Sequence, residues 1–176
     1  MFCYYKYIMD CILDTCSIIY LSKIKDLDII FLLFDNLLIT NYILDELLYS
    51  NKPRSEYKYL YSFLSKFSSN IEMIDIEYND EFKSINKFIG GKGESSIFKT
   101  CKLNKNLISV TSDKKAHHKF VKNNVLVLKT YEIYKLLYFK KMISKKKFIK
   151  KMNLLKSIGG ISEKECGQEI ELLNKI

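Results

Sequence analysis

The chain has 176 residues, 48% of them hydrophobic and 28% charged, with a formal net charge of +9. That length and balance describe one globular domain able to bury a sizeable core, and they exclude a disordered chain. No apolar run reaches the roughly 18 residues that cross a bilayer, and acids interrupt the N-terminal "MFCYYKYIMDCILD", which lacks a small-residue cleavage site and so is not read as a signal peptide.

In chain order, residues 7–14 (YIMDCILD) form an apolar strand ending in Asp14, and 15–24 have helical spacing. The run 26–36 (DLDIIFLLFDN) predicts a second helix and 37–40 (LLIT) a strand. A helix over 41–51 follows, capped by Thr40 or Asn41 and broken by Pro53. Aromatics at helical spacing predict a helix over 55–69. Residues 71–77 (IEMIDIE) alternate as a strand with one exposed face. A helix over 80–89 leads into the glycine cluster 89–98 (IGGKGESSIF), and a helix starts at Glu94 and runs to 104. Residues 106–113 (NLISVTSD) form a strand ending in Thr111 and Asp113, 114–124 a helix and 125–130 a strand. Two helices close the chain, separated by Gly159 and Gly160, with Ser162 capping the last. Strands separated by helices predict a three-layer α/β/α fold around a mostly parallel sheet, with a core over 1–130 and a helical extension of the same domain over 131–176.

The glycine cluster is not a phosphate-binding loop of the GxxxxGK[ST] kind, because Gly93 follows Lys92. It also follows a helix rather than a strand, which removes the dinucleotide-binding reading. Its glycines instead allow a sharp turn that lets Glu94 begin the next helix. The cysteines (Cys3, Cys11, Cys16, Cys101, Cys166) are odd in number and contain no CxxC, which suits thiols in a reducing cytoplasm and argues against zinc. His117 and His118 are adjacent on one helix and point about 100° apart, so they cannot chelate together.

Charge is unevenly spread. Residues 1–100 carry 11 Lys and Arg against 14 Asp and Glu, whereas 101–176 carry 18 against 6. In 135–156 (KLLYFKKMISKKKFIKKMNLLK) lysines alternate with apolar residues, as in a helix with one cationic face. Such a face is ordinarily only a solvated surface, but acids opposite a lysine surface could hold metal ions and a polyanion together.

Active sites of parallel sheets form beyond the carboxyl ends of the strands. Asp14 and Asp113 both stand there, although each could equally be an ordinary helix N-cap. Glu46 lies near the apolar stripe of its helix, with Asp45 on the other flank. Glu94 gains from the helix dipole as any N-terminal acid would.

The order of these acids resembles the PIN-domain nucleases. "CILDTCSIIYL" resembles their opening strand and helix, and "ITNYILDEL" their second acidic position. "GGKGESSIF" resembles the GxGE variant of the third, and "VTSDKKAHHKF" their TxD segment. The match covers 8–128, and the tail is similar to the closing helices of a bacterial and archaeal subgroup. Departures are Glu94 where Asp is common, Cys16 where a small residue is usual, and Ser112 where a second acid often stands. The resemblance implies a divalent-metal-dependent endoribonuclease in which Asp14, Glu94 and Asp113 hold Mg²⁺ or Mn²⁺. Glu46 would be a fourth ligand, and Thr15, Ser17 and Thr111 would orient ligands or water as hydroxyls beyond the metal. Lys114, Lys115, Lys119, Lys145, Lys146 and Lys147 are the candidate RNA contacts. The resemblance extends in many cases to VapC-like toxins of toxin–antitoxin pairs, which would imply a homodimer held by an antitoxin protein; a housekeeping RNA-processing role is equally open. The rival reading is a PIN-like RNA-binding protein with a degenerate metal site. A haloacid-dehalogenase-like phosphatase would need DxD after the first strand, which "LDTCS" lacks.

Overall fold

A computed structural model of the chain describes residues 9–48 and 56–174. Cys3, the first residues of the strand predicted over 7–14, the end of the helix predicted over 41–51, and Pro53 lie outside them.

The core is laid down by short, largely apolar strands. β1 (Cys11–Leu13) and β2 (Leu37–Thr40) are buried at every position. Strands covered on both faces are the mark of a parallel sheet sandwiched between helices. β3 (Ile71–Ile74), β4 (Ile108–Val110) and β5 (Val127–Leu128) complete a five-stranded sheet in the order β3-β2-β1-β4-β5. Every pairing is parallel; Leu13 lies opposite Val110, and Ile12 opposite Leu38. The helices are α1 (Thr15–Lys23), α2 (Asn41–Leu48), α3 (Tyr57–Lys66), α4 (Asp80–Ile89), α5 (Lys92–Leu103), α6 (Lys114–Lys122), α7 (Glu132–Phe139), α8 (Lys145–Ser157) and α9 (Glu163–Asn174). They give the three-layer α/β/α arrangement expected from the sequence. No helix among the described residues is long and apolar enough to cross a membrane.

Several local expectations change. The helix predicted over 26–36 is only a 3₁₀ segment, Leu27–Leu32. Asp26, which would cap it, instead accepts the Tyr134 hydroxyl at 2.7 Å and pairs with Lys151 at 2.8 Å. That tie joins α7 and α8 to the sheet-bearing part of the chain, where Tyr134, Phe148, Met152 and Leu155 share the core with β1 and β2. The strand predicted over 71–77 stops at Ile74 and lies at the sheet edge. Glu72 and Met73 are both exposed, so the period-2 burial fails there. The cationic helix predicted across 135–156 is two helices. Lys141 adopts a left-handed φ of 58°, and Ser144 restarts the chain by accepting the N–H of Lys147. Three helices rather than two therefore close the chain. Thr40, not Asn41, caps α2, because the Asn41 side chain bonds both backbone groups of Ile76. Ser162 accepts the N–H of Glu165 at 3.3 Å, the cap expected for the last helix.

Candidate active site

Strand order reverses between β1 and β4, so the crevice of this sheet opens beyond their carboxyl ends. Asp14 leaves β1 there and is 3% exposed. Its Oδ1 accepts the N–H of Ser17 at 2.6 Å, capping α1. Its Oδ2 accepts the Thr111 hydroxyl at 2.5 Å and the Ser112 N–H at 3.2 Å. Asp113 leaves the loop after β4 and caps α6, accepting the N–H of Ala116 at 2.7 Å. Its own N–H donates to Thr111 Oγ1 at 3.1 Å. Thr111 therefore stands between the aspartates, donating to the side chain of one and accepting from the backbone of the other.

The glutamates arrive from the other side. α5 begins at Lys92 rather than at Glu94, which makes Glu94 the third residue of its first turn. Gly90, at φ 107°, ends α4 in the left-handed conformation that glycine adopts without strain. Gly93 plays a different part from the flexible hinge expected: a Cβ built on it would stand 2.6 Å from Oε1 of Glu46. The same carboxylate accepts the Thr15 hydroxyl at 2.5 Å. Glu46 thus reaches α1 and α5 through Thr15 and Gly93, although it is exposed, as is Asp45. Glu94 shares with Asp113 a cleft of about 330 Å³ that Lys115 and Lys119 also line.

Electrostatics links the four acids. Burial raises the Glu94 carboxyl first; a backbone hydrogen bond opposes this, and Glu46, Asp14 and Asp113 raise it further. The Cys16 thiol is pushed up to about 11 by partial desolvation and then by Asp14, Glu94, Glu46 and Asp113. Among the described residues, none of the four acids has a Lys or Arg ion-pair partner.

Among the described residues, no three His, Cys, Asp or Glu side chains converge as a formed metal cage. The donor chemistry nevertheless fits a hard divalent cation. All the groups are carboxylate or hydroxyl oxygens, and a cation would relieve a repulsion that no lysine relieves.

The remaining candidates separate. Ser17 serves Asp14 through its backbone N–H, while its hydroxyl points to Val110 O at 3.4 Å and accepts from Thr130 at 2.7 Å. Lys114 pairs with Glu165 at 3.4 Å, and Lys145 reaches Leu173 O at 3.3 Å. Lys119 donates to the carbonyls of Phe88 and Ile89, closing α4. Lys115, Lys146 and Lys147 are exposed. His117 is held below its usual range chiefly by burial.

Sequence reasoning missed the hydroxyl chain from Ser112 through Thr130 to Ser17, with bonds of 2.6 and 2.7 Å. It holds the loop whose N–H reaches Asp14. A signal was present, since Thr40, Thr111 and Thr130 each end or directly follow an apolar strand run.

A family model described as a PIN domain matches residues 10–161. No curated protein matches the chain.

Proposed function

The chain belongs to the PIN-domain family, and from that premise we propose that it is a divalent-metal-dependent endoribonuclease. The observation that supports this reading is the electrostatic coupling of Glu94 to Glu46, Asp14 and Asp113, with no Lys or Arg ion pair to any of the four among the described residues.

Asp14, Glu94 and Asp113 would hold Mg²⁺ or Mn²⁺, with Glu46 as a fourth ligand through water. A cation bound there supplies a deprotonated water at neutral pH and charge relief on the phosphate. The chain's own residues do the positioning. Thr111 and Ser112 fix one oxygen of Asp14, Ser17 the other, and Thr15 holds Glu46. Lys115, at the mouth of the cleft, meets the backbone of an RNA strand. No protein nucleophile is required. Purified protein should cut single-stranded RNA with Mg²⁺ or Mn²⁺, and chelator or Asp14→Asn should each abolish cutting. Cleavage that survives both contradicts the proposal.

We extend the proposal to the toxin of a toxin–antitoxin pair, a homodimer in the cytoplasm held by an antitoxin protein; what supports this role is the order of motifs. Induced expression should arrest growth, and Asp14→Asn should not. A second reading, a non-catalytic RNA-binding protein, draws on the lack of a formed three-ligand cage among the described residues. It predicts RNA binding without cleavage in the same assay.

A further inference from the structure

A second cavity, of about 280 Å³, lies beside the carboxylates where the end of β4, the start of α6 and the Gly159–Gly160 turn meet. Ser112 is its wall toward the crevice. The backbone N–H of Ser112 bonds Asp14, and its hydroxyl pairs with Thr130. Tyr20, one helical turn beyond Cys16 on α1, forms another wall. Gly160 passes close to the base of that ring, since a Cβ there would stand 3.3 Å from Tyr20 Cγ. Gly159 makes the turn possible at φ 79°. The polar side is Glu165 of α9, which accepts from Lys129 at 2.8 Å and from the Ser162 hydroxyl at 2.5 Å and pairs with Lys114 at 3.4 Å. Lys129 Nζ also stands 5.6 Å from the centre of the Tyr131 ring.

We propose that this cavity takes the nucleobase next to the cut phosphate, with guanine preferred, its face on Tyr20 and its edge read by Glu165 and Lys129. The inference rests on the ribonuclease reading and deepens it to a base preference.

A base is a flat aromatic with hydrogen-bonding groups only at its rim, and single-stranded RNA is read by stacking such bases and bonding their edges. This cavity offers an aromatic wall and a charged rim in the matching arrangement. Guanine presents neighbouring N1–H and N2–H donors that a carboxylate accepts side by side, with O6 beside them for an ammonium. Glu165 remains ionised for this, because Lys129, then Ser162, hold it at about 2. A carboxylate has about four lone-pair sites. Lys114 makes the longest of the contacts to Glu165 and is 71% exposed, so it yields its place at little cost. An ion pair serving stability alone would need neither the tyrosine wall nor the open volume.

The test is calorimetric titration of the wild-type chain with 5′-GMP, AMP, CMP, UMP and inosine monophosphate in chelator, so that no metal contributes. GMP should bind tightest. Inosine monophosphate, which lacks the N2 amine, should bind several-fold more weakly. Glu165→Gln should erase the preference, and Tyr20→Leu should weaken all five. Equal binding of the nucleotides, no binding of any, or an unchanged preference in Glu165→Gln overturns the inference. The inosine comparison uses wild-type protein, so it decides even where a variant does not fold. An active nuclease that ignores GMP sinks this inference alone. GMP binding without RNA cleavage sinks the nuclease reading and leaves the cavity's base preference standing.

Discussion

Gly93 is the platform on which the Glu46 carboxylate rests: a methyl group at position 93 would stand 2.6 Å from Oε1 and about 3.0 Å from Cδ and Oε2. The obstacle is the end of a flexible side chain, so Gly93→Ala displaces Glu46 rather than the backbone. Alanine is also a better helix residue than glycine. Gly93→Ala should therefore leave the melting temperature unchanged or raised while RNA cleavage falls at least tenfold. A variant that cleaves normally would show that the close approach has no part in activity.

Thr111 is 1% exposed and donates to a carboxylate that is itself 3% exposed. Thr111→Val keeps the shape and removes the donor, leaving Oδ2 of Asp14 with the Ser112 N–H alone. Hydrogen bonds to buried charged groups contribute about 1.5–3 kcal/mol, so urea unfolding should report a loss of about 2 kcal/mol. A loss within error of zero would mean that the bond contributes no stability.

Much of the frame was legible in the residues because burial wrote it plainly. "CIL" and "LLIT" are apolar at every position but the last threonine, as central parallel strands must be; Asp14 after the first and Thr40 at the end of the second cap the helices that follow. The acids at strand ends and the GxGE turn were legible for the same reason. What the residues did not disclose depended on partners distant in sequence. Asp26 carries no local sign of its ties to Tyr134 and Lys151, which lie more than a hundred residues on. The break at Lys141 has no proline or glycine to announce it. Gly93 looked like a hinge, and only the folded chain brings Glu46 against it. The base-reading cavity joins Tyr20, Ser112 and Glu165, which no local pattern links.

The Glu165–Lys129 pair gives a pH signature. The Glu165 carboxyl lies at about 2 against an ordinary 4.5, so between those values the unfolded chain binds more protons than the folded one. The stability from this pair is therefore present above pH 4.5 and is lost as pH falls toward 2. The Lys129 ammonium is raised, mainly by its hydrogen bond to Glu165, so at the alkaline end the contribution fades as pH rises through that raised value. Both side chains retain solvent access, which limits the contribution to about 1 kcal/mol. Glu165→Gln should lower the urea midpoint at pH 7 and lower it less at pH 3. Equal losses at both pH values would contradict the assignment.

RNA affinity should be carried partly by lysines that are not already engaged. Lys146 and Lys147 are exposed at the start of α8, whereas Lys145 is tied to Leu173. Each phosphate contact on a single strand contributes about 0.7 to the slope of log affinity against log salt. Changing Lys145, Lys146 and Lys147 to alanine should reduce that slope by about 1 to 2 if they meet phosphates. An unchanged slope returns them to a solvated surface.

Thermal unfolding with and without Mn²⁺ tests whether Asp14, Glu46, Glu94 and Asp113 form one cation site. Asn at positions 14 and 113 retains an oxygen able to cap α1 and α6, so the Asp14→Asn, Asp113→Asn double variant is expected to fold. Binding to the folded chain alone raises its melting temperature by mass action. Mn²⁺ should raise the melting temperature of the wild type and leave that of the double variant where it was. An equal rise in both, or no rise in the wild type, would contradict a single cation site.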